Sequence, residues 1–343
     1  MTERGSILVT GANGGLGSAI VERILQDPEL AAYTGVFMVR NSATATNLKN
    51  KLSAAPEASH RIIETQLDSI TDVKKAAAEI NSGIAAGTLP PLRAMILVAA
   101  YQDSTQLSLT TDGCETTWQI NFLSNFILVL GLLQSCDKQH SRIVLISSWS
   151  HDFTDSRNDL VGNAYKAQAY TTLFPSAHAL GRGIWSTPTE DPSADAGYRR
   201  YGASKLCAAI FLFELGERLA NDPTLSKVGL IAIDPGAMPT DLGRRGSTIL
   251  QIKIKVIMPL LAAISTYWSP NGFFRLPSKS ADDTIRAAFK VDLPQGEVLY
   301  LNGTDTHTAA KETGHHQKRE ELWQYALQVA SMGGKDTALA QWQ

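Results

Sequence analysis

The feature of this sequence that most constrains its fold is a glycine-rich turn near the N-terminus. The turn, TGANGGLG at residues 10–17, follows an apolar run of strand length and precedes an amphipathic stretch, Ser18 to Gln26. A phosphate-bearing ligand binds where backbone N–H groups at a helix N-terminus can face it without intervening side chains. Gly11 permits the sharp turn, Gly15 allows close approach, and Gly17 lets the helix pack tightly on the strand. The turn therefore predicts a nucleotide-binding strand–helix unit.

Strand-length apolar runs alternate with helix-length stretches along the rest of the chain. The predicted strands are Ile7–Thr10, Gly35–Val39, Ile62–Leu67, Ala94–Ala100, Arg142–Ser147, Val228–Ile233 and Glu297–Leu301. The main predicted helices are Ser18–Gln26, Asp72–Ala86, Glu115–Leu133 and Tyr201–Ala220. Continuous apolar strands separated by helices are typical of a parallel sheet covered on both faces. We predict an α/β, Rossmann-like, doubly wound parallel sheet of about seven strands with helices on both faces.

Three segments depart from this rhythm, although residues 1–343 are predicted to form a single domain. Residues 149–200 lack a clear period, and residues 242–277 are apolar but interrupted by prolines and glycine. Loops of that length are usually functional, so we interpret the first as an insertion near the site and the second as a substrate loop. Residues 311–343 are predicted to form a charged surface helix and tail.

Composition excludes several classes of protein. The net charge is −2 with no long run of one sign, so neither nucleic acid nor an anionic membrane is indicated as a partner. The three cysteines are widely spaced without a CxxC pair, so reduced thiols are expected and no metal site is predicted. The N-terminus lacks an apolar secretory core and no membrane-spanning stretch is recognised, so a cytoplasmic location is expected.

A tyrosine and a lysine are candidates for proton transfer. Tyr201 and Lys205 are four residues apart in a predicted helix and therefore share one face. A carbonyl reduction needs a proton donor, and a nearby ammonium favours the ionised form of a phenol. Alone the pair is weak, since nine tyrosines and 15 lysines in 343 residues give about 0.4 such pairs by chance.

The order of the motifs is more specific than any one of them. The glycine spacing and the Tyr-x-x-x-Lys pair resemble those of the short-chain dehydrogenase/reductase family. That resemblance implies catalytic roles for Ser148, with Ser147 as runner-up, at the end of a strand, and for Asn121 in a helix, where it would support a proton relay. It implies a single-domain enzyme that moves a hydride between a nicotinamide and a carbonyl/alcohol pair. The resemblance spans most of the chain and does not specify a substrate.

The resemblance also implies a set of residues that bind the dinucleotide. They are Gly11, Asn13, Gly15, Leu16, Gly17, Arg40, Asp68, Ala99, Tyr201, Lys205, Pro235, Gly236, Met238 and Thr240. An arginine after the second strand accommodates a 2′-phosphate, whereas an acidic residue there binds a free ribose hydroxyl. Arg40 occupies that place and Ser42 could assist, so NADP(H) is favoured over NAD(H). The basic residue that NADP-preferring members often carry inside the turn is replaced by Gly14.

Two departures from the family pattern stand out. The Asn-Ala-Gly that follows the fourth strand is replaced by Val98-Ala99-Ala100, which puts local packing or cofactor contacts in doubt. Ser148 and Tyr201 are also 53 residues apart (201 − 148), farther than in the simplest members.

We therefore predict an NADP(H)-dependent carbonyl reductase or alcohol dehydrogenase, similar to fungal reductases of secondary metabolites. A bulky or lipophilic substrate is favoured, because aromatic residues in the two irregular segments could wall an apolar pocket. These are Trp149, Phe153, Phe174, Trp185, Trp268, Phe273 and Phe274. The alternatives are a non-catalytic dinucleotide-binding sensor or scaffold and, less well supported, a hydrolase using Ser148. The resemblance also implies a homodimer through the two long helices Glu115–Leu133 and Tyr201–Ala220, whose apolar outer faces would allow it.

Overall fold

The computed structural model describes residues 4–53, 55, 59–166, 170–245 and 256–343, and within them eight strands form one sheet. The strands are β1 (Ser6–Thr10), β2 (Thr34–Val39), β3 (His60–Glu64), β4 (Leu92–Leu97), β5 (Arg142–Ile146), β6 (Gly229–Asp234), β7 (Val298–Asn302) and β8 (Asp305–Thr306). Their spatial order is β3-β2-β1-β4-β5-β6-β7-β8. All neighbours are parallel except β7 and β8. The predicted doubly wound sheet is confirmed, with a short eighth strand that leaves no periodic signal in the sequence.

Helices cover both faces of the sheet. They are α1 (Gly15–Gln26), α2 (Thr46–Leu52), α3 (Ile70–Ala85), α4 (Thr116–Ser135), α5 (Ala177–Gly181), α6 (Ala194–Ala220), α7 (Met258–Trp268), α8 (Pro277–Phe289) and α9 (His316–Ala330). Side chains of α3, α4 and α6 form one apolar layer, and those of α1, α2 and α8 form the other. Helix α7 was not predicted, because Pro259 was interpreted as a break, and no element was predicted for the residues of α8. Pro259 and Pro277 each lie in the first turn of their helix, where the missing N–H costs no hydrogen bond.

Helix α6 begins earlier than predicted. Ser193 caps its N-terminus by accepting a hydrogen bond from the N–H of Asp195, so the helix starts at Ala194 rather than at Tyr201. Tyr201 therefore lies about two turns inside a regular helix. Both Tyr201 and Lys205 are consequently fixed by the helix body and not by a fraying end.

The C-terminal segment is not simply a surface helix. In α9 the indole of Trp323 is buried, edge-on to Phe126 at 5.1 Å and stacked on Phe211 at 6.1 Å between ring centroids. The guanidinium of Arg218 lies 4.1 Å from the centroid of the same indole. Helix α9 therefore covers the outer faces of α4 and α6, which the sequence suggested were free for a homodimer.

Helix α4 is apolar and long enough to cross a bilayer by length and composition alone. However, 94% of its most apolar window is buried inside the protein. Every residue from Cys114 to Leu130 is buried, which is the environment of a core helix. The three cysteines are free thiols, as expected from their spacing, and all are buried.

Candidate active site

A single cleft of about 730 Å³ brings together almost all of the predicted site residues. It opens at the carboxyl ends of the central parallel strands, where the strand order reverses between β1 and β4. The predicted residues that line it are Gly11, Asn13, Gly15, Leu16, Gly17, Arg40, Asp68, Ala99, Ser147, Ser148, Tyr201, Lys205, Pro235, Gly236, Met238 and Thr240. Asn121 does not line the cleft, although its neighbour Ile120 does.

The glycine turn forms a cradle that side chains would fill. Gly11 has φ of +64°, and a Cβ added to Gly17 would lie 2.2 Å from the Gly11 carbonyl oxygen. A Cβ on Gly15 would lie 2.6 Å from the methyl carbon of Thr240. Gly14 at the cap position offers no side chain to the first N–H groups of α1. The cradle thus fits a dinucleotide pyrophosphate, which needs a helix N-terminus and close backbone approach.

Thr10 compensates for the departure from the family pattern after β4. Its hydroxyl oxygen accepts hydrogen bonds from the N–H groups of Val98 and Ala99 at 2.9 and 3.1 Å. The backbone of Val98-Ala99-Ala100 is therefore tied to β1 next to the glycine turn. The missing asparagine leaves this wall of the cleft ordered.

Ser148 and Tyr201 interact at the centre of the cleft. The Ser148 hydroxyl oxygen accepts from the N–H and the hydroxyl of Ser150 at 3.3 and 2.9 Å. Its own hydrogen bond to Tyr201 lowers the pKa of that phenol. Ser147 instead accepts a hydrogen bond from the buried Tyr300 hydroxyl at 3.2 Å. The geometry therefore favours Ser148 over Ser147 as the hydroxyl that works with Tyr201.

Burial dominates the ionisation of Tyr201 and Lys205. Removal from water raises the pKa of Tyr201 above its usual range, and this outweighs the hydrogen bond from Ser148. Burial also lowers the pKa of Lys205 to about 8, an effect that the Asp234 carboxylate only partly opposes. The Lys205 ammonium donates to the Ile146 carbonyl at 2.8 Å and lies 5.8 Å from the Tyr201 ring centroid. The expected lowering of the Tyr201 pKa by Lys205 is thus not observed, and the phenol is held protonated near neutral pH.

Asn121 lies behind the wall of the cleft, and its role in a proton relay stays a prediction. Its amide oxygen accepts from the Tyr101 N–H at 2.7 Å, and its amide nitrogen donates to the Tyr101 carbonyl and to the Ser204 hydroxyl, both at 2.9 Å. It lies in a π-helical turn, Gln119–Leu123, inside α4. The side chain therefore joins the loop after β4 to α6 from behind the cleft wall and positions α6 rather than contacting a substrate.

Sequence reasoning missed a buried ion pair beneath the cleft. Asp234, at the end of β6, has one carboxylate oxygen 2.9 Å from the Arg157 guanidinium, and the other accepts from the Gly236 N–H at 2.9 Å. Arg275 donates to the Asp234 carbonyl at 3.0 Å. An acidic residue that ends an apolar strand was a detectable signal. Arg157 gave none, because its partner is remote in sequence.

His151 is a structural histidine. One ring nitrogen is 2.7 Å from the Ser148 carbonyl oxygen, and the other accepts from the Ala310 N–H at 2.9 Å. The ring stacks on Tyr300 with centroids 4.9 Å apart, and burial lowers its pKa. Because both nitrogens are used on backbone groups, His151 does not activate the Ser148 hydroxyl, and the hydrolase alternative loses its base.

The far end of the cleft carries the predicted 2′-phosphate site. Arg40 is exposed there and lines the cleft with Asn41, Thr44 and Asn47. Ser42 does not line it, because its N–H and hydroxyl both bond to the Glu64 carboxylate. The suggested assistance from Ser42 is therefore wrong, and Arg40 remains the cation at this end.

The predicted aromatic pocket wall is largely wrong. Of the seven aromatic residues proposed for it, only Trp149 lines the cleft. Phe174 is buried in the helical layer, and Trp268 is 80% exposed on the surface. Phe273 packs behind Trp149 at 4.8 Å between ring centroids. The apolar part of the wall comes instead mostly from aliphatic and methionine side chains, namely Ile120, Val161, Met238, Leu242 and Met258.

Comparison with known proteins agrees with this geometry. The sequence model of the short chain dehydrogenase family matches residues 6–156. The short-chain dehydrogenase iccH of Talaromyces variabilis is 39% identical over 367 aligned positions that span all of both chains. The chain belongs to the short-chain dehydrogenase/reductase family. Membership in this family makes it an oxidoreductase.

Solved structures share the fold at low sequence identity. An uncharacterised protein from Mycobacterium paratuberculosis superposes with a TM-score of 0.60 at 19% identity, covering 96% of this chain and 94% of its own. An NADPH-bound carbonyl reductase from chicken fatty liver superposes with a TM-score of 0.53 at 17% identity, covering 88% and 93%. This short-chain dehydrogenase/reductase therefore shares its Rossmann-like fold with these structures.

Proposed function

We propose that this protein is an NADP(H)-dependent carbonyl reductase/alcohol dehydrogenase for bulky or lipophilic substrates, with Tyr201 as the acid/base. The observation that carries the proposal is one continuous cleft. It holds the Ser148–Tyr201 hydroxyl pair at its centre, the glycine cradle at its side and Arg40 at its far end. Reduction is the favoured direction, because a buried, protonated phenol is a proton donor.

The chain's own residues account for orientation and proton transfer. The bound nicotinamide cofactor supplies or accepts the hydride. Ser148 and Tyr201 would both hydrogen-bond the substrate carbonyl oxygen, and the Tyr201 hydroxyl would give its proton to that oxygen as the alcohol forms. Lys205, anchored on the Ile146 carbonyl, would hold the cofactor ribose. Asn121 would keep α6 in register through Ser204.

The preference for NADP(H) is proposed from Arg40. A guanidinium at the end of β2 matches a phosphate by charge and by its planar array of donors. A likeness in fold to an NADPH-bound carbonyl reductase is compatible with it. Asp68, which follows β3 and lines the same end, is proposed to lie beside the adenine.

The substrate class is proposed from the wall of the cleft near Tyr201. Aliphatic and methionine side chains and the Trp149 ring provide apolar surface, while Gln102 and Tyr198 add polar groups. A cleft of this composition suits a bulky carbonyl compound with few charges. The relation to a fungal dehydrogenase fits a fungal metabolite as the substrate.

A substrate panel tests the reaction. The full-length protein is incubated with NADPH or NADH and a series of aromatic, aliphatic and sugar carbonyls, and consumption of the reduced nicotinamide is followed together with the alcohol formed. We expect carbonyl-dependent consumption of NADPH that is fastest with lipophilic ketones or aldehydes. If NADPH binds but no carbonyl or alcohol is converted, the chain acts as a sensor or scaffold and the proposal is wrong.

Calorimetry with an Arg40→Asp variant tests the cofactor. The parent should bind NADPH at least about tenfold more tightly than NADH, and the variant should lose or reverse that preference. Arg286→Asp is the matched control, since Arg286 is exposed on α8 and does not line the cleft. Equal affinity of the parent for both cofactors would contradict the NADP(H) preference.

A further inference from the structure

Helix α7 exposes an unusual amount of apolar surface. Leu260, Ile264, Tyr267 and Trp268 are 64%, 51%, 80% and 80% exposed, and Ala262 is the one buried residue of its eleven. Residues 260, 264 and 267 follow one another at helical spacing, so they form a stripe. A soluble surface seldom carries such a contiguous patch without a partner.

The balanced charge of the whole chain, from which no anionic membrane was expected as a partner, conceals a one-sided segment around α7. From Leu242 to Ala281 there is no aspartate or glutamate, whereas the whole chain has a net charge of −2. The same stretch contains six basic residues, Arg244, Arg245, Lys253, Lys255, Arg275 and Lys279. Arg275 is buried, Lys279 is paired with Asp283, and the Arg245 guanidinium lies 4.3 Å from the Tyr101 ring centroid. The remaining positive charge in the sequence before α7 belongs to Arg244, Lys253 and Lys255, whose side chains lie outside the described part of the chain.

The helix is next to the mouth of the cleft. Met258, its first residue, lines the cleft together with Leu242 and Gly243. Beyond its last residue, Phe273 packs against Trp149 in the cleft wall. The exposed stripe is therefore tied at both ends to the wall of the site.

We propose that α7 binds the protein to an anionic lipid surface. Helix α7 has no charged residue of its own, but basic residues precede it in the sequence, and it ends in Tyr267 and Trp268, the residue types enriched at the bilayer interface. Eleven residues are about half the length needed to span the hydrocarbon core.

A lipid surface fits α7 better than a protein partner does. The helix is convex and exposes apolar side chains over most of its circumference, whereas a protein interface needs a complementary shape. Fluid lipid can surround a protruding helix without a preformed complementary shape. Anionic headgroups also match the basic residues that precede the helix in the sequence. Lipid binding by α7 does not depend on the proposed reaction, because none of the four exposed residues belongs to the cleft.

Vesicle flotation of the whole chain tests whether α7 binds lipid. Vesicles of phosphatidylcholine alone are compared with vesicles containing roughly 30% phosphatidylserine. The parent should float with the anionic vesicles. The double variant Leu260→Ser/Ile264→Ser should bind these vesicles with at least about tenfold lower affinity. The matched control is Leu109→Ser/Ile184→Ser, two residues that are 54% and 59% exposed elsewhere. NADPH affinity of both variants checks that they are folded.

Tryptophan fluorescence of the parent gives a second measurement that needs no destabilising change. The emission of Trp268 is obtained by subtracting the spectrum of the Trp268→Phe variant from that of the parent. Its maximum should move to shorter wavelength when anionic vesicles are added. Three results would overturn the proposal: no binding to anionic vesicles, equal loss in the control variant, or a lipid-free dimer that Leu260→Ser/Ile264→Ser separates. The last result would assign the patch to a second copy of the chain.

Discussion

At the residue scale, the chemistry depends on which hydroxyl is available beside a protonated Tyr201. Ser147 and Ser148 are adjacent at the end of β5 and cannot be distinguished by type. The structure separates them, since Ser147 is bonded to Tyr300 while Ser148 bonds to Tyr201. Ser148 is therefore the hydroxyl that we propose to hold the substrate oxygen beside the phenol.

Replacing Ser148 tests this assignment. Ser148→Ala should lower kcat/KM for carbonyl reduction by about 10²-fold, the usual loss when one donor to a developing oxyanion is removed. Ser147→Ala should lower it less than about tenfold, because it breaks only the contact with Tyr300. Steady-state kinetics with saturating NADPH measure both variants. A larger loss in Ser147→Ala would reverse the assignment.

The buried ammonium of Lys205 gives a pH dependence of stability. Its pKa is about 8 in the folded protein against 10.5 when solvated, so above pH 8 the unfolded chain binds more protons and stability rises until about pH 10.5. The free energy of unfolding should therefore rise with pH relative to Lys205→Met, by up to about 3 kcal/mol. Denaturant unfolding at pH 7, 9 and 10.5 measures the difference, and a gap that does not change with pH contradicts it.

Residue positions were predictable where they follow from topology, and not where they depend on distant partners. Tyr201, Lys205 and the glycines line one cleft, as expected when a turn follows a strand at its carboxyl end and two residues four apart share a helix face. The ionisation of Tyr201 was not predictable, since it is set by burial that no local pattern records. The ion pair of Arg157 with Asp234 was missed because the two residues are far apart in the sequence.

At the element scale, the glycine turn lies against the loop that follows β6. Gly15 is in contact distance of Thr240, which follows β6, and Gly17 packs α1 onto the turn itself. The prediction succeeded here because glycine spacing between a strand and a helix has few alternatives. It failed for α7, where a proline that begins a helix resembles one that ends a helix.

Adding one methyl group tests the turn. In Gly17→Ala the new Cβ would lie 2.2 Å from a backbone oxygen, so the turn must open and cost about 1–3 kcal/mol of stability. The affinity for NADPH should fall at least about tenfold, because the backbone N–H groups at the start of α1 would no longer point at the pyrophosphate. Gly314→Ala is the control, since no atom lies within 4 Å of its added Cβ. Unchanged NADPH affinity in Gly17→Ala, measured by calorimetry, would mean that the turn does not hold the pyrophosphate.

At the scale of the whole molecule, the C-terminal segment completes the helical layer. The sequence predicted a charged surface helix because most residues of α9 are polar, and it could not show that Trp323 enters an aromatic cluster formed by α4 and α6. Covering these faces removes the surface that a homodimer through the same two helices would need.

Truncating the indole tests this closure. Trp323→Ala should lower the free energy of unfolding by about 3–5 kcal/mol, as for other large buried aromatic residues. Gln324→Ala, on the exposed side of the same helix, should change it by less than about 0.5 kcal/mol. Urea denaturation followed by circular dichroism measures both. Equal, small effects would mean that α9 is not part of the stable core.

The central claim is that Tyr201 donates the proton during NADPH-dependent carbonyl reduction. The most direct measurement is the initial rate of NADPH consumption by Tyr201→Phe with the best carbonyl substrate. Tyr198→Phe is the matched control, a second tyrosine of the cleft whose hydroxyl bonds to Asn158 at 3.0 Å.

We predict that Tyr201→Phe loses about 10³-fold or more in kcat while binding NADPH within a few-fold of the parent, because only the proton donor is removed. Tyr198→Phe should lose less than about tenfold. A Tyr201→Phe enzyme that binds NADPH and still reduces the carbonyl within about tenfold of the parent rate would contradict the claim.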